Sequence, residues 1–366
     1  MESVQLEEYL SNGVQNIVTG IIKASFKNPK TSLFMIQHGI DSKMARKKRQ
    51  TAEQNGEHIP PFLIASVTNL CNLHCKGCYA RASKGCVDHG SQEEILTGEN
   101  WDVVFSQAEE LGIEFILLAG GEPFVRKDVL EAAGVHKSIL FPIFTNGTLI
   151  DDAYLELLEQ NRNLLPILSI EGNKDTTDER RGTGIYEKLQ NVMKELGDRG
   201  ILFGASVTVT KQNMEEVLSD EFVQSLEDFG SKAVVYVEYV PMDDTTRMAA
   251  LSEVERDKMM KRLDEIRKER DGMVFLAFPG DEKSSGGCLA AGRGFFHINA
   301  CGGAEPCPFS PYSDTNILKT SLKEALHSPL FQKLKENGNL EKEHIGGCTL
   351  FEQEDQVREL LAGAEG

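Results

Sequence analysis

The chain has 366 residues, long enough for one large α/β domain with an extension, and carries a formal charge of −18. Residues 1–50 hold eight basic and four acidic side chains, a balance of +4, so the remainder carries −22; an acidic body repels nucleic acid and excludes it as a partner, since a phosphate backbone needs a basic footprint. No apolar stretch reaches the length of a bilayer span, and eight cysteines without a secretory leader point to a reducing cytoplasm, where thiols serve metal or catalytic chemistry rather than disulfides.

Residues 1–59 read as a helical, basic preface. Leu6, Leu10, Val14, Ile17, Val18 and Ile21 form one helical stripe, followed by Phe26, Phe34, Met35 and the basic run Lys43 to Arg49. Such a face suits packing against a core, the commoner use of an amphipathic helix, or peripheral contact with an anionic membrane.

From residue 62 onward, short β-rich runs alternate with helix-period segments. The runs are Phe62–Ser66, Phe115–Gly120, Ile139–Phe144, Pro166–Ile170, Phe203–Val209, Ala233–Val240 and Val274–Phe278. Their near-continuous apolar character suits strands of a parallel sheet covered on both faces. Trp101, Val104, Phe105, Ala108 and Leu111 share one helical face, as do Ile185, Leu189, Val192, Met193 and Leu196. Gly112, Gly200 and Gly230 stand where left-handed helix caps are expected. Repeated strand–helix alternation means a βαβ sheet, whose chemistry gathers at the C-terminal ends of the strands.

Those ends carry the polar punctuation. The first run leads into Cys71-x3-Cys75-x2-Cys78, the second into Gly120-Gly121-Glu122-Pro123, the third into Thr145-Asn146-Gly147-Thr148, the fourth into Ser169-Ile-Glu171-Gly172. Three thiolates on one loop form an incomplete metal site: a 4Fe-4S cube takes four cysteines, so three leave one iron for a non-protein ligand. Structural zinc wants a closed set of four ligands, for which His74 inside the same short loop is the nearest candidate. Glycines permit close backbone approach, and the carboxylate of Glu122 can pair with an ammonium group. After residue 279 the alternation gives way to a second cysteine set, Cys288, Cys301, Cys307 and the distant Cys348, with Phe295–Asn299 as one strand of a small hairpin. Spacing alone leaves zinc open for this second set. Cys86 lies in the loop after the first set and is assigned to neither.

The three-cysteine loop with Tyr79 behind it, together with Gly120, Gly121, Glu122 and Pro123 one strand–helix unit later, resembles the radical S-adenosylmethionine (SAM) superfamily. The resemblance implies that Cys71, Cys75 and Cys78 hold a 4Fe-4S cluster whose free iron binds the amino and carboxylate groups of SAM. It further implies that the Gly-Gly-Glu-Pro run holds the SAM amino group, and that Thr145, Asn146, Ser169 and Glu171 lie near its ribose and methionine parts. By the same resemblance Arg181 pairs with the SAM carboxylate. The second cysteine set is similar to SPASM and twitch extensions, which implies one auxiliary iron–sulfur cluster, probable type 4Fe-4S, held by Cys288, Cys307 and Cys348, with Cys301 as a further candidate. The implied fold is α/β: a partial (β/α)6 barrel over residues 60–280, a helical segment over 1–59 and a small auxiliary-cluster domain over 281–366.

The implied activity is reductive cleavage of SAM to a 5'-deoxyadenosyl radical, which abstracts hydrogen from a peptide, cofactor-precursor or lipid substrate. An electron from a flavodoxin- or ferredoxin-type reductant feeds the reaction, which makes the protein oxygen-sensitive. The cofactor supplies the chemistry, and no catalytic side chain is named. The rival readings are a non-catalytic iron–sulfur carrier or scaffold, which has no use for Glu122 or for polar motifs at successive strand ends, and thiol redox catalysis at Cys75 and Cys78, which leaves Cys71 unexplained.

Overall fold

A computed structural model describes residues 29–83, 85–88, 95–242, 246–285, 287–340 and 348–363, with Leu6, Leu10 and Thr19 before them. Seven strands are parallel and follow the chain: β1 Phe62–Thr68, β2 Phe115–Gly120, β3 Phe141–Thr145, β4 Leu164–Ser169, β5 Gly204–Val209, β6 Ala233–Glu238 and β7 Val274–Phe278. Each apolar run of the sequence lies on one of them. Six strand–helix units thus lead into a seventh strand. The short strands β8 His297–Ile298, β9 Gly303–Glu305 and β10 Thr315–Asn316 extend the same sheet beyond β1, in the order β10-β9-β8-β1-β2-β3-β4-β5-β6-β7. β8 pairs parallel with β1, with Ile64 opposite His297, and β9 returns antiparallel.

Helix α1, Pro29–Gln54, crosses the N-terminal ends of the strands. Met35 is fully buried with Leu140, Leu165 and Leu202, beside Phe115 and Val274, which all stand at or just before strand starts. Polar anchoring completes the seat. Arg49, at the end of the basic run, pairs with Glu114 at 2.6 Å and donates to the Gly112 carbonyl, while Ser42 donates to Glu114; Arg49 and Glu114 are each 1% exposed. Leu6 and Leu10 are buried in the main core. The rest of the amino-terminal stripe, Val14, Ile17, Val18, Ile21 and Phe26, lies outside the described residues. Leu33, Ile36, Ile40 and Met44 are exposed on α1. Among the described residues no helix is long and apolar enough to cross a membrane.

The outer helices follow their apolar stripes. Helix α2, Gly98–Leu111, starts at a capping box between Thr97 and Asn100 and buries Trp101, Val104, Phe105 and Ala108. It ends at Gly112 with φ +83°, where a Cβ would stand 2.7 Å from the Ala45 carbonyl oxygen of α1, so glycine serves both the left-handed cap and the close crossing. Helices α3 Lys127–Val135, α4 Asp152–Gln160, α5 Lys174–Arg181 and α6 Ile185–Asp198 follow β2 to β4. Ile185, Leu189, Met193 and Leu196 are buried on α6 as their spacing predicts. Odd-numbered β1 residues Leu63, Ala65 and Val67 are wholly buried; on the opposite face Ile64 and Thr68 are buried too, while Phe62 and Ser66 are half-buried.

Candidate active site

The loop after β1 is built by backbone contacts that require glycine. Gly121 N–H donates to Thr68 O and Glu122 N–H to Leu70 O, each at 2.8 Å. A Cβ on Gly120 would lie 2.3 Å from Thr68 O, and one on Gly121 would lie 2.1 Å from Leu70 O. The glycine pair therefore seats the approach to Cys71 directly. From the other side, Lys76 N–H donates to Arg180 O at 2.8 Å, and Arg180 Nε donates back to Lys76 O at 3.2 Å, docking the loop on the end of α5. Arg81 braces it from below, donating to the Cys71 and Leu73 carbonyls while paired with Asp88 at 2.8 Å.

Cys71, Cys75 and Cys78 all remain half-exposed on this loop. Burial pushes the Cys75 thiol up, opposed by Arg181 and Arg180. Arg181 Nη1 lies 4.0 Å from Cys75 Sγ. Cys86, unassigned from the sequence, is buried against the loop: its thiol donates to Cys71, which holds Cys71 down at about 6 and drives Cys86 up. His74 turns away to Asp88 at 2.9 Å and stays exposed. Among the described residues no three cysteine, histidine or carboxylate side chains converge to grip a single ion; a 4Fe-4S cube is a wider body that offers one iron to each cysteine.

Beside the loop lies Glu122, 1% exposed. Its Oε1 accepts from Phe124 N–H at 3.1 Å and Thr145 Oγ1 at 2.7 Å, and its Oε2 accepts from Asn146 N–H at 2.8 Å. A carboxylate has about four acceptor positions, so about one remains on Oε2. Burial pushes Glu122 up to about 7 despite these donors, and the Cys71 charge adds to the rise. Asn146 reaches the cysteine loop through Asn72 at 2.9 Å, and Asn72 in turn donates to Thr148. Pro123, buried, opens a short 3₁₀ turn at the end of β2.

Glu171 is wholly buried and joins Arg180 and Arg181, while its Oε2 accepts from Thr208 N–H at 3.0 Å. The two guanidinium groups overcome its burial and hold it below the usual carboxylate range. Arg181 is therefore committed to a carboxylate of this chain and turned toward Cys75. Ser169 faces Ser206 across β4 and β5 at 3.2 Å. Four of these motifs, from the ends of β1 to β4, thus meet around one loop.

The second cysteine set is partly assembled. Cys307 and Cys348 are buried and hydrogen-bonded, and both act on Cys288 or are acted on by it. Burial raises the Cys288 and Cys307 thiols well above their ordinary value, while the Cys307 bond lowers Cys348. Glu282, absent from the sequence reading, joins this group through Cys288 and is pushed by burial up to about 8. Cys301 stands at the tip of the β8–β9 hairpin, its N–H donating to Asn299 Oδ1 and its carbonyl accepting from Asn316. Cys307 follows the far end of the second strand. The structure brings Cys288, Cys307 and Cys348 together; the His344-to-Gly347 segment before Cys348 lies outside the described residues.

Tyr79 connects the two regions. Its ring lies 4.8 Å from that of Phe309, and its hydroxyl is pushed up by burial and then by the charges of Cys78, Cys307, Cys86 and Glu305. The first donor set fits a cluster open to a small ligand: three half-exposed thiols at the C-terminal end of a parallel sheet, an arginine at one of them, and a glycine cradle beside a carboxylate with spare acceptor capacity.

Comparison with known proteins agrees with this geometry. The Radical SAM superfamily description matches residues 65–221. Fe-coproporphyrin III synthase of Methanosarcina barkeri is 31% identical over 185 residues, which cover 50% of this chain and 44% of that protein. AdoMet-dependent heme synthase of the same organism is 26% identical over 321 residues, covering 80% of this chain and 88% of that protein. The crystal structure of Streptococcus suis SuiB bound to S-adenosylmethionine superimposes with a TM-score of 0.64 over 81% of this chain and 73% of SuiB, at 18% identity, a likeness of fold. The family match spans the segment that carries Cys71, Glu122 and Glu171, and on this agreement of sequence and site residues 65–221 form a radical SAM domain.

Proposed function

We propose that Cys71, Cys75 and Cys78 hold a 4Fe-4S cluster and that the enzyme cleaves SAM reductively to start a radical reaction on a further substrate. The observation that carries this reading is the convergence of a three-thiol loop with Glu122 at the ends of β1 and β2. When bound, cluster and SAM together supply the electron, the 5'-deoxyadenosyl radical and hence the hydrogen abstraction. The chain's own residues bind and orient. Glu122 offers its remaining acceptor position to the SAM ammonium, and Gly120 and Gly121 allow the backbone to approach. Thr145, Asn146 and Ser169 line the strand ends near the rest of SAM. Glu171 keeps Arg181 beside Cys75, where the positive charge favours the thiolate form needed for ligation.

Cys288, Cys307 and Cys348, with Glu282 beside them, hold one auxiliary cluster in this reading. Their burial suits a group that stays in place, because thiols that burial keeps protonated lose that proton to a metal. A porphyrin is the first substrate to offer, since AdoMet-dependent heme synthase aligns over 80% of this chain. Peptides come second, because the SuiB structure includes a precursor peptide, and lipids third. The reductant is a flavodoxin or ferredoxin. The exposed Leu33, Ile36, Ile40 and Met44 of α1, beside the Lys43 to Arg49 run, give a peripheral membrane contact its support. Cysteines that serve metal chemistry rather than disulfides support a cytoplasmic, oxygen-sensitive enzyme. Anaerobic protein given SAM and dithionite should release 5'-deoxyadenosine and methionine; iron and sulfide at the expected content with no deoxyadenosine would reduce the protein to a carrier.

A further inference from the structure

A second polar constellation is assembled across 231 residues of sequence, between β1 and the β8–β9 hairpin. His297 Nδ1 lies 2.7 Å from Glu305 Oε2, and His297 Nε2 lies 2.7 Å from Ser66 Oγ. Asn299 Nδ2 donates to the other carboxylate oxygen of Glu305 at 2.6 Å. The carboxylate accepts hydrogen bonds and cannot donate, so Nδ1 carries the proton and Nε2 is left to accept from the serine hydroxyl. This is the geometry of a serine whose proton has somewhere to go.

Its position is equally specific. β8 pairs with β1 so that His297 lies beside Ile64, and β9 brings Glu305 opposite His297. His297 and Glu305 are 5% and 4% exposed, whereas Ser66 is half-buried, the most accessible member of the three. Ser66 is therefore the member through which this group meets a bound molecule. Ser66 also neighbours Gly120: a Cβ at that glycine would stand 3.3 Å from Ser66 Cα and Cβ. On the other side, Glu305 bears on the Tyr79 hydroxyl. The constellation thus sits between the Gly-Gly-Glu-Pro turn and the aromatic residue that follows the cysteine loop.

We propose that Ser66 is a catalytic residue of the substrate cavity, with His297 and Glu305 as the positioning residues that let it take a proton from a protic group of the substrate, a hydroxyl, amine or carboxylic acid. The inference rests on the reading above for the cavity it serves. In the proton step the substrate X–H gives its proton to Ser66 Oγ while Ser66 gives its own to His297 Nε2. The products are a substrate anion and an imidazolium held beside the Glu305 carboxylate; no electron moves. A carbon radical formed next to such an anion is a better electron donor than one next to the neutral group. A serine tied to histidine merely to fasten the β8–β9 hairpin would have no raised reactivity.

The test uses the anaerobically prepared, cluster-loaded protein and a small fluorophosphonate. In the labelling reaction Ser66 Oγ attacks phosphorus, fluoride leaves and the serine proton passes to His297 Nε2. Mass spectrometry should find the adduct on Ser66, absent in Ser66→Ala and formed about a hundredfold more slowly in His297→Gln. Glutamine keeps a polar partner for Ser66 but cannot accept the proton. Should His297→Gln fail to fold, Glu305→Gln gives the same comparison. No adduct on Ser66, or labelling indifferent to both variants, overturns the proposal. Deoxyadenosine release is measured on the same preparation. Deoxyadenosine without His297-dependent labelling sinks this inference alone, and labelling without deoxyadenosine sinks the radical reading alone.

Discussion

The two cysteine sets of this chain are furnished in opposite ways. Cys71, Cys75 and Cys78 are half-exposed on a loop held from outside by Arg81, by α5 and by the backbone of Gly121 and Glu122, with Arg181 turned toward Cys75. Cys307 and Cys348 are buried against each other, Cys288 joins them, and the nearest carboxylate, Glu282, is pushed by burial up to about 8. In the first set Arg181 and Arg180 oppose the burial that raises Cys75, whereas in the second burial raises Cys288 and Cys307 well above their ordinary value and keeps them neutral until something displaces their protons. The contrast supports the proposal that the first set meets substrate molecules while the second holds a group that stays in place.

The largest effect should come from breaking either set. Cys71→Ala and Cys307→Ala should each lose about half of the bound iron if each set holds a cluster of four irons. Deoxyadenosine release should vanish in the first, and the two variants should lose different electron paramagnetic resonance (EPR) signals. Equal iron content in Cys307→Ala and the unaltered protein would remove the second cluster from the account.

Next comes the support of the open trio. Arg181→Met leaves wholly buried Glu171 with Arg180 as its remaining guanidinium partner, and breaking such a buried pair costs about 3 kcal/mol, readable by denaturant titration. An unchanged midpoint would show that Arg181 contributes nothing to the loop's seat.

Glu122 offers a smaller, pH-dependent handle. A charge-assisted hydrogen bond is worth about 1.5–3 kcal/mol, so Glu122→Gln should weaken SAM binding to the loaded protein by about ten- to a hundredfold. Because burial raises Glu122 to about 7, the carboxylate that pairs with an ammonium is depleted below that pH. Affinity in the unaltered protein should therefore rise as pH increases through about 7, and the Gln variant should lose that step. Stability moves the opposite way: a carboxyl raised in the fold above its unfolded value costs stability as pH climbs from the unfolded value to about 7.

The smallest effect tests the link between the regions. Tyr79→Ala removes the contact with Phe309, worth about 0.5–1.5 kcal/mol beyond area burial. A double-mutant cycle of Tyr79→Ala with Phe309→Ala should return a coupling of that size, and none at all would mean that the two sites are mechanically independent.

Much of this arrangement is legible in the sequence because it is local. All seven parallel strands lie where continuous apolar runs are bounded by polar turns, and Gly112, Gly200 and Gly230 each adopt the positive φ their positions suggest. Strand β4 begins at Leu164, two residues before the run read from Pro166. Proline, lacking an N–H, suggests a strand start, yet Pro166 lies inside β4 opposite Ile143. The Gly-Gly pair is legible as a close approach, but what it approaches, the carbonyls of Thr68 and Leu70, is not. Likewise Arg181 is legible as a charge near the site, whereas its partner Glu171 appears once α5 is folded back. Cys86, Glu282 and the Ser66–His297–Glu305 group have no spacing signal, because their partners meet through tertiary packing rather than along one loop. Cys301 stands at the β8–β9 hairpin tip, a place that the register of the two strands sets and the cysteine spacing does not reveal.

The account's central claim is that the cysteine loop after β1 leaves one iron open to SAM. Its most direct test is the EPR spectrum of the anaerobic, reduced protein before and after SAM is added. The account predicts that the signal lost in Cys71→Ala shifts on addition of SAM while the other stays fixed. A spectrum that SAM leaves unchanged throughout, in protein with full iron and sulfide, would contradict it.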